Sequence, residues 1–431
     1  MKLGDVFLKN ILSKILGKVL DVIISLLTIA VLARYLKVEE FGIYSFVFTY
    51  IALFLPLADL GMTPILTREL SKDEILGSYF VGNATILRIF LVIFTLALIY
   101  VFSFLYKDKQ PYIMLSSMFL LLYPLSTVNS IFQSQLRVWY LNFFTIFKKA
   151  LFFINCYIVS KLKFSLVYIF GGYSLAEIVT TISLYFCARR FIKPVYKIDF
   201  EKIKFVLKES IPLFLVIIMG MIYTKIDTMM LMYLKTEKDV GLYNGALQLY
   251  NFLLFFPATI SFIVFPVFSK LSKHTENFIK IIRFVLSTIF FLGVIITSLC
   301  FVFGKVAVLM LLSEKYLFSL SIFYILILGV PFLFTTIIYG NILTSLSQQK
   351  NMVYVSVISC IINILLNFVL IPRYSSKGAA IATVSTQVSI FLIYNFVVQK
   401  QTSFNFLKYL FSNNLWKYWG KDCQLFLEEE I

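Results

Sequence analysis

Apolar runs of about twenty residues follow one another along nearly the whole chain, from residue 11 to residue 398, with short polar interruptions between them. A run of that length crosses some 30 Å of hydrocarbon as a helix, and in hydrocarbon each backbone amide and carbonyl must find its partner within the protein. The runs are continuous in Leu, Ile, Phe and Val. They lack the two-residue alternation, over segments of roughly ten residues, that a transmembrane β-barrel requires. Only 14% of residues are charged while 60% are hydrophobic, against about 25% charged in soluble domains, so the chain cannot cover a water-facing surface. It reads as an all-α integral membrane protein.

Spans are expected near 11–33, 42–62, 79–105, 112–132, 146–160 and 165–187, and again near 211–233, 241–265, 281–303, 318–344, 352–371 and 379–398. That is about twelve transmembrane helices. A repeated phrase divides them. Tyr35-Leu36-Lys37 is followed by Glu39, Gly42 and Tyr44, and Tyr233-Leu234-Lys235 by Glu237, Gly241 and Tyr243. Each copy precedes a long apolar stretch that reaches a proline, Pro56 and Pro257. Internal repeats in polytopic membrane proteins accompany two-lobed transporters. The expected organisation is a six-helix lobe over 1–190, a connector carrying an interfacial amphipathic helix over 191–210, a second six-helix lobe over 211–400, and a tail over 401–431 lying on the cytoplasmic surface. No cleavable signal is expected, since the first apolar run lacks a small-residue cleavage site and carries Lys14, Lys18 and Asp21.

Orientation follows Lys and Arg placement. With both termini in the cytoplasm, about 25 of the 39 basic residues fall on the inner side, among them Arg68, Lys148, Lys149, Arg189, Arg190 and Lys400. The formal charge of +17 is then an orientation signal and an attraction to anionic membrane lipids. Nucleic-acid binding would need a basic soluble domain, which is lacking. The expected location is the cytoplasmic membrane, multi-pass.

Enzyme signatures are sparse. The one histidine, His274, and the scattered Cys156, Cys187, Cys300, Cys360 and Cys423 form neither a triad nor a metal-ligand spacing, and no phosphate-binding Gly-rich loop occurs. No metal, no cofactor and no catalytic residue is expected. Transport must draw on a gradient, the membrane potential or removal of the product.

Candidate binding residues are polar groups within apolar spans, each costly in lipid unless it meets water or a partner. Lys225 lies about nine residues from the outer end of its span, roughly 13 Å in, and Arg88 sits comparably deep. Lys18 and Asp21, three apart, share a helix face, whereas Asp227 points nearly opposite to Lys225 on a regular helix. Four-residue spacing makes polar stripes of Asn129 with Gln133, Asn244 with Gln248, and Asn363 with Asn367. A solvated path, snorkelling to the interface and hydrogen bonds that hold the bundle all account for such groups.

Several stretches carry a family resemblance. They are Leu32-Ala33-Arg34-Tyr35-Leu36 through Glu39-Glu40-Phe41-Gly42-Ile43-Tyr44, Ala58-Asp59-Leu60-Gly61, Leu66-Thr67-Arg68-Glu69-Leu70, Tyr223-Thr224-Lys225-Ile226-Asp227-Thr228, Val240-Gly241-Leu242-Tyr243-Asn244, Leu370-Ile371-Pro372-Arg373-Tyr374 and Gly378-Ala379-Ala380-Ile381-Ala382-Thr383. In this order, over roughly residues 5–400, the chain resembles the Wzx-type polysaccharide flippases, of the multidrug/oligosaccharidyl-lipid/polysaccharide exporters. The resemblance implies a MATE-like fold of two lobes around a central cavity. It also implies transfer of a polyprenyl-pyrophosphate-linked oligosaccharide between leaflets by alternating access for surface polysaccharide, as in O-antigen and lipopolysaccharide synthesis. H⁺ or Na⁺ as coupling ion and a polysaccharide polymerase as partner are expectations of the same kind. The family often has Arg or Lys where Lys225 stands, and Asp227 follows its pattern. The alternatives are a drug/cation antiporter, a peptidoglycan-precursor flippase, and a membrane polysaccharide polymerase or ligase.

Overall fold

A computed structural model describes residues 3–271 and 275–410. His274 and the tail residues 411–431, with Cys423, Trp416 and Trp419, lie outside the described residues. The chain divides into two compact units, Met1–Lys225 and Ile226–Ile431. The division falls within a helix after Lys225, and the 191–210 segment belongs to the first unit.

In the first unit the helices are α1 Leu3–Tyr35, α2 Val38–Asp59, α3 Met62–Lys72, α4 Glu74–Ser103, α5 Gln110–Ser117, α6 Asn129–Ser134, α7 Val138–Leu162 and α8 Leu166–Ala188, and α9 Phe200–Leu234 leads into the second. There follow α10 Glu237–Phe252, α11 Phe255–Leu271, α12 Thr275–Leu311, α13 Leu317–Ile327, α14 Val330–Ser345, α15 Gln349–Thr402 and the short α16 Phe406–Leu410. No strand occurs among the described residues, as a lipid-embedded chain requires unless it closes a barrel.

Nine helices among the described residues are long and apolar enough to cross a membrane, or ten when the pair Glu314–Ile327 and Val330–Ser345, bent by 49°, counts as one span. Two of them run to 61 and 54 residues, Glu74–Ser134 and Gln349–Thr402. If straight these would reach roughly 90 and 80 Å, more than twice a hydrocarbon core. Each breaks internally, at Tyr106 (φ −131°, ψ 54°) and at Ser375 (φ 51°, ψ −131°), so each supplies two crossings, and the ten become the expected twelve. After Ser375 the chain doubles back so tightly that a Cβ on Gly378 would sit 2.2 Å from the Leu370 carbonyl oxygen. Only glycine permits that approach.

The repeated phrase has a structural cause. Both copies are the turn between a long helix and the next one, α1 into α2 and α9 into α10: Lys37 precedes α2 and Thr236 precedes α10. The Lys37 amide donates to Glu40 Oε2 at 2.8 Å, and Thr236 Oγ1 accepts from the Asp239 amide at 3.3 Å, so each new helix starts with a local cap. Tyr44 and Tyr243 are both the seventh residue of their helices, α2 and α10. Each phrase opens a 35-residue span, Val38–Lys72 and Glu237–Leu271. The first is broken at Leu60 and Gly61, both in the left-handed region (φ 47° and 69°), which starts α3 in a new direction just past Asp59.

The burial pattern is that of a membrane protein. On α4, Phe90, Ile93, Phe94 and Val101 face outward while Asn83, Arg88 and Thr95 are fully buried. The segment 191–199 is irregular, and Asp199 caps α9 by accepting from the amides of Glu201 and Lys202 at 3.1 and 3.2 Å. Hydrogen bonds from Lys202 hold the Asp199 carboxyl below its ordinary range. The amphipathic stretch expected there is the first three turns of α9, with Phe200 strongly exposed. Residues Phe406–Leu410, the described end of the expected surface-lying tail, bury Phe406 and Tyr409. Phe406 is fully buried, its ring 6.0 Å from Phe290 and 6.3 Å from Phe391, and its amide donates to Asn395 Oδ1 at 3.1 Å. The Phe406 ring thus packs within an aromatic cluster.

Candidate functional site

The structure distributes the predicted polar residues over three separate groups. The second unit holds one built around Asp227. Its carboxylate is 4% exposed. Oδ2 accepts from the Tyr243 hydroxyl and from Thr383 Oγ1, each at 2.7 Å, and Oδ1 accepts from Asn367 Nδ2 at 2.6 Å. Asn367 Nδ2 also donates to Asn363 Oδ1 at 3.0 Å, while Asn367 Oδ1 is buried without a hydrogen bond. Asn244 adjoins through Thr228, 3.2 Å from its Nδ2. Gln248, its predicted partner in a stripe, is half-buried and joins none of these bonds. Helices α9, α10 and α15 supply the site: Tyr243 comes from the repeated phrase, and the break at Ser375 folds the Thr383 half of α15 back beside the Asn363–Asn367 half. No basic side chain pairs with Asp227 among the described residues. Two hydroxyls and one amide nitrogen thus donate to a carboxylate buried within the bundle, where a charge is costly unless it is so held.

Arg88 is the centre of the second group, in the first unit. It is fully buried on α4 and ion-paired with Asp59 at the end of α2. Its Nη1 donates to Ser126 Oγ at 2.9 Å, its Nη2 to Thr63 Oγ1 at 3.3 Å, and the guanidinium lies 5.4 Å from the centre of the Tyr123 ring. Arg88 is thus neutralised in place. Beside it, Lys148 Nζ donates to Glu177 Oε1 at 2.7 Å, and Tyr173 donates to the same oxygen at 3.0 Å. Lys148 and Lys149 were expected on the inner side, at the start of the span 146–160. They lie instead ten and eleven residues into α7, which begins at Val138, roughly 15 Å from its start. Its span starts eight residues earlier than expected because Trp139, Tyr140 and Phe143 are also in the helix.

Lys149 joins the third group. It forms an ion pair with Asp21 of α1 and donates to Ser25 Oγ at 2.7 Å, while exposed Lys18 reaches Asp21 at 3.3 Å. Of the stripe Asn129–Gln133, Gln133 Oε1 accepts from Thr67 at 3.0 Å and Asn129 Oδ1 is buried without a partner. Lys225 stands apart from all three groups. It lies nine residues before the end of α9, is half-buried, and has no acidic partner among the described residues.

Sequence reasoning missed Thr383, Asp59, Tyr173 and Glu177 as members of these groups. Glu177 had a visible signal, being the only charged residue in α8. Asp59 stood in a quoted motif, but nothing in the sequence couples it to Arg88.

Long apolar helices, internal breaks and buried, paired charges together define a polytopic α-helical membrane protein with polar groups held inside its bundles. Residues 7–272 match the family model of polysaccharide biosynthesis proteins, and residues 212–369 match the MatE model. The chain belongs to the polysaccharide biosynthesis protein family.

Two uncharacterized membrane proteins of Methanocaldococcus jannaschii are similar, one 25% identical over 246 residues, the other 28% identical over 145 residues. Those matches cover 56% and 33% of this chain, and 57% and 28% of the relatives, so the chain spans about half the length of the first and less of the second. The fold is similar to that of the lipid II flippase MurJ in an inward closed conformation, with a TM-score of 0.76 at 17% identity, over 98% of this chain and 93% of that one. It is equally similar to an inward-facing multidrug resistance MATE family transporter, with a TM-score of 0.76 at 12% identity, over 89% and 94%. At these identities the likeness carries the fold.

Proposed function

We propose that the protein flips a polyprenyl-pyrophosphate-linked oligosaccharide from the inner to the outer leaflet of the cytoplasmic membrane, by alternating access, for surface polysaccharide synthesis. The sugar and pyrophosphate cannot cross hydrocarbon unaided, while the polyprenyl tail need never leave it. The observation that carries the reading is Lys225, a cation deep in a span and without an acidic partner among the described residues. An unpaired ammonium there is costly, and a pyrophosphate offsets its desolvation. Arg88 and Lys18, candidates for the same role, already have carboxylate partners. Asp227 is the seat we assign to the coupling ion, H⁺ or Na⁺, because it is buried, held by two hydroxyls and the Asn367 amide nitrogen, and paired with no cation among the described residues.

An unpaired Lys suits an anionic head group and is the wrong sign for a cationic drug. The test measures surface glycan and membrane protein level together. Lys225→Ala abolishes glycan export at near-normal abundance, and Lys225→Arg retains part of it, since charge persists while the guanidinium meets phosphate in a different geometry. An alanine variant with normal surface glycan removes Lys225 from the mechanism.

A further inference from the structure

The first unit holds a half-open cavity of about 300 Å³ between α2, the 118–128 segment, α6, α7 and α8. Its wall combines aromatic faces, Phe119, Tyr123, Phe144 and Tyr173, with the Lys148–Glu177 pair and the amide of Asn129. Both signs of hydrogen-bonding capacity remain open there. Glu177 accepts from Lys148 and Tyr173 through Oε1 alone, Asn129 Oδ1 is buried without a partner, and the Lys148 ammonium has donors beyond the one given to Glu177.

The charge balance decides the class of ligand. Lys148 cancels Glu177 at 2.7 Å, and Arg88 is cancelled by Asp59 behind the Tyr123 and Ser126 wall. A pyrophosphate would need net positive charge and a drug cation net negative charge, whereas this wall is neutral and rich in both donors and acceptors. Aromatic faces with planar amide and carboxylate groups at their edges suit a ring that is apolar on its faces and hydroxylated around its rim. At the lower end of the ~300–1,000 Å³ range of ligand sites, the cavity has room for a sugar residue or two and not for a whole oligosaccharide.

We propose that this cavity is a subsite for a neutral sugar residue of the cargo, distinct from the pyrophosphate contact at Lys225. The assignment rests on the flippase reading above and refines it: the lipid-linked head group is held at its sugar by the first unit. Arg88 and Asp59 act as positioning residues, fixing the Tyr123 and Ser126 wall without touching the sugar.

The test is saturation-transfer NMR on the full chain in lipid nanodiscs, with the neutral disaccharides maltose and diacetylchitobiose as probes and inorganic pyrophosphate and tetraphenylphosphonium as charged competitors. Saturable binding of one disaccharide is expected. Loss of the open acceptor in Asn129→Leu should weaken it about tenfold, and filling the cavity in Thr181→Leu should do likewise, with neither charged competitor displacing it. Two substitutions are used so that misfolding of one, read from its elution on size exclusion, leaves the other to decide. Binding of the sugars unchanged in both variants places them elsewhere and overturns the proposal, as does displacement by either charged species. If no disaccharide binds while Lys225→Ala still abolishes surface glycan, the sugar subsite is wrong and the flippase reading survives. If sugars bind as stated but Lys225→Ala leaves surface glycan normal, the subsite stands and the Lys225 mechanism falls.

Discussion

The Tyr243 hydroxyl donates to Asp227 at 2.7 Å, linking the repeated turn phrase of the second unit to a carboxylate buried at mid-helix. Tyr44 occupies the same seventh position of its helix in the first unit but faces aromatic neighbours, with the Phe48 ring at 4.8 Å and the Phe170 ring at 6.4 Å. The repeat therefore preserves a scaffold position, and only one copy has been given a carboxylate to hold.

Under the coupling proposed at Asp227, removing that carboxylate's charge should uncouple transport from an ion gradient. Asp227→Asn keeps the side chain's shape and should abolish the dependence of flipping on an imposed H⁺ or Na⁺ gradient in proteoliposomes. Tyr243→Phe deletes one of three hydrogen bonds to a buried charged group, a loss of about 1–3 kcal/mol, and should shift the ion concentration for half-maximal rate while leaving the maximal rate measurable. An Asp227→Asn protein that still responds fully to the gradient would move ion coupling to another site.

Breaking the Arg88–Asp59 pair should be felt as stability. Arg88→Met leaves Asp59 uncompensated beside Thr63 and Ser126, and a broken buried pair costs roughly 3–5 kcal/mol. Thermal unfolding in detergent should show a clear drop for Arg88→Met and for Asp59→Leu alone. The double variant should recover most of it, because both charges have gone. A double variant as unstable as the sum of the singles would show that the two residues act independently.

The hairpin after Ser375 should tolerate no side chain at Gly378. In Gly378→Val the first added carbon would stand 2.2 Å from the Leu370 carbonyl oxygen, too close for any rotamer to relieve. The expected outcome is loss of the folded protein from the membrane fraction, and Gly220→Ala, with nothing within 4 Å of its added carbon, should stay at wild-type level. Equal abundance of the two variants would contradict the tight turn.

Topology follows from the crossings and from the Lys and Arg bias. Reporter fusions after Arg190 and after Lys400 should report the cytoplasm, and a fusion after Lys107, in the break between α4 and α5, should report the exterior. An external signal after Arg190 would require an odd number of crossings before it.

Much of this molecule was legible in its sequence. Hydrophobic length declares a crossing without reference to anything else in the fold, so the membrane class and the twelve crossings follow from local composition. The turn phrases were legible for a similar reason: caps and left-handed turns use residues close in sequence, as Lys37 with Glu40 and Thr236 with Asp239. Helical spacing also identified Asn363 and Asn367 as one face, and depth singled out Lys225. Which charge is neutralised was decided only by tertiary structure. Arg88 meets Asp59 across 29 residues, and Asp227 meets Asn367 and Thr383 across 140 and 156. Periodicity gives a residue's depth and the face it shares, but its partner depends on which helix packs against that face. That choice is made by the fit of many side chains at once, and no single stretch of sequence contains it.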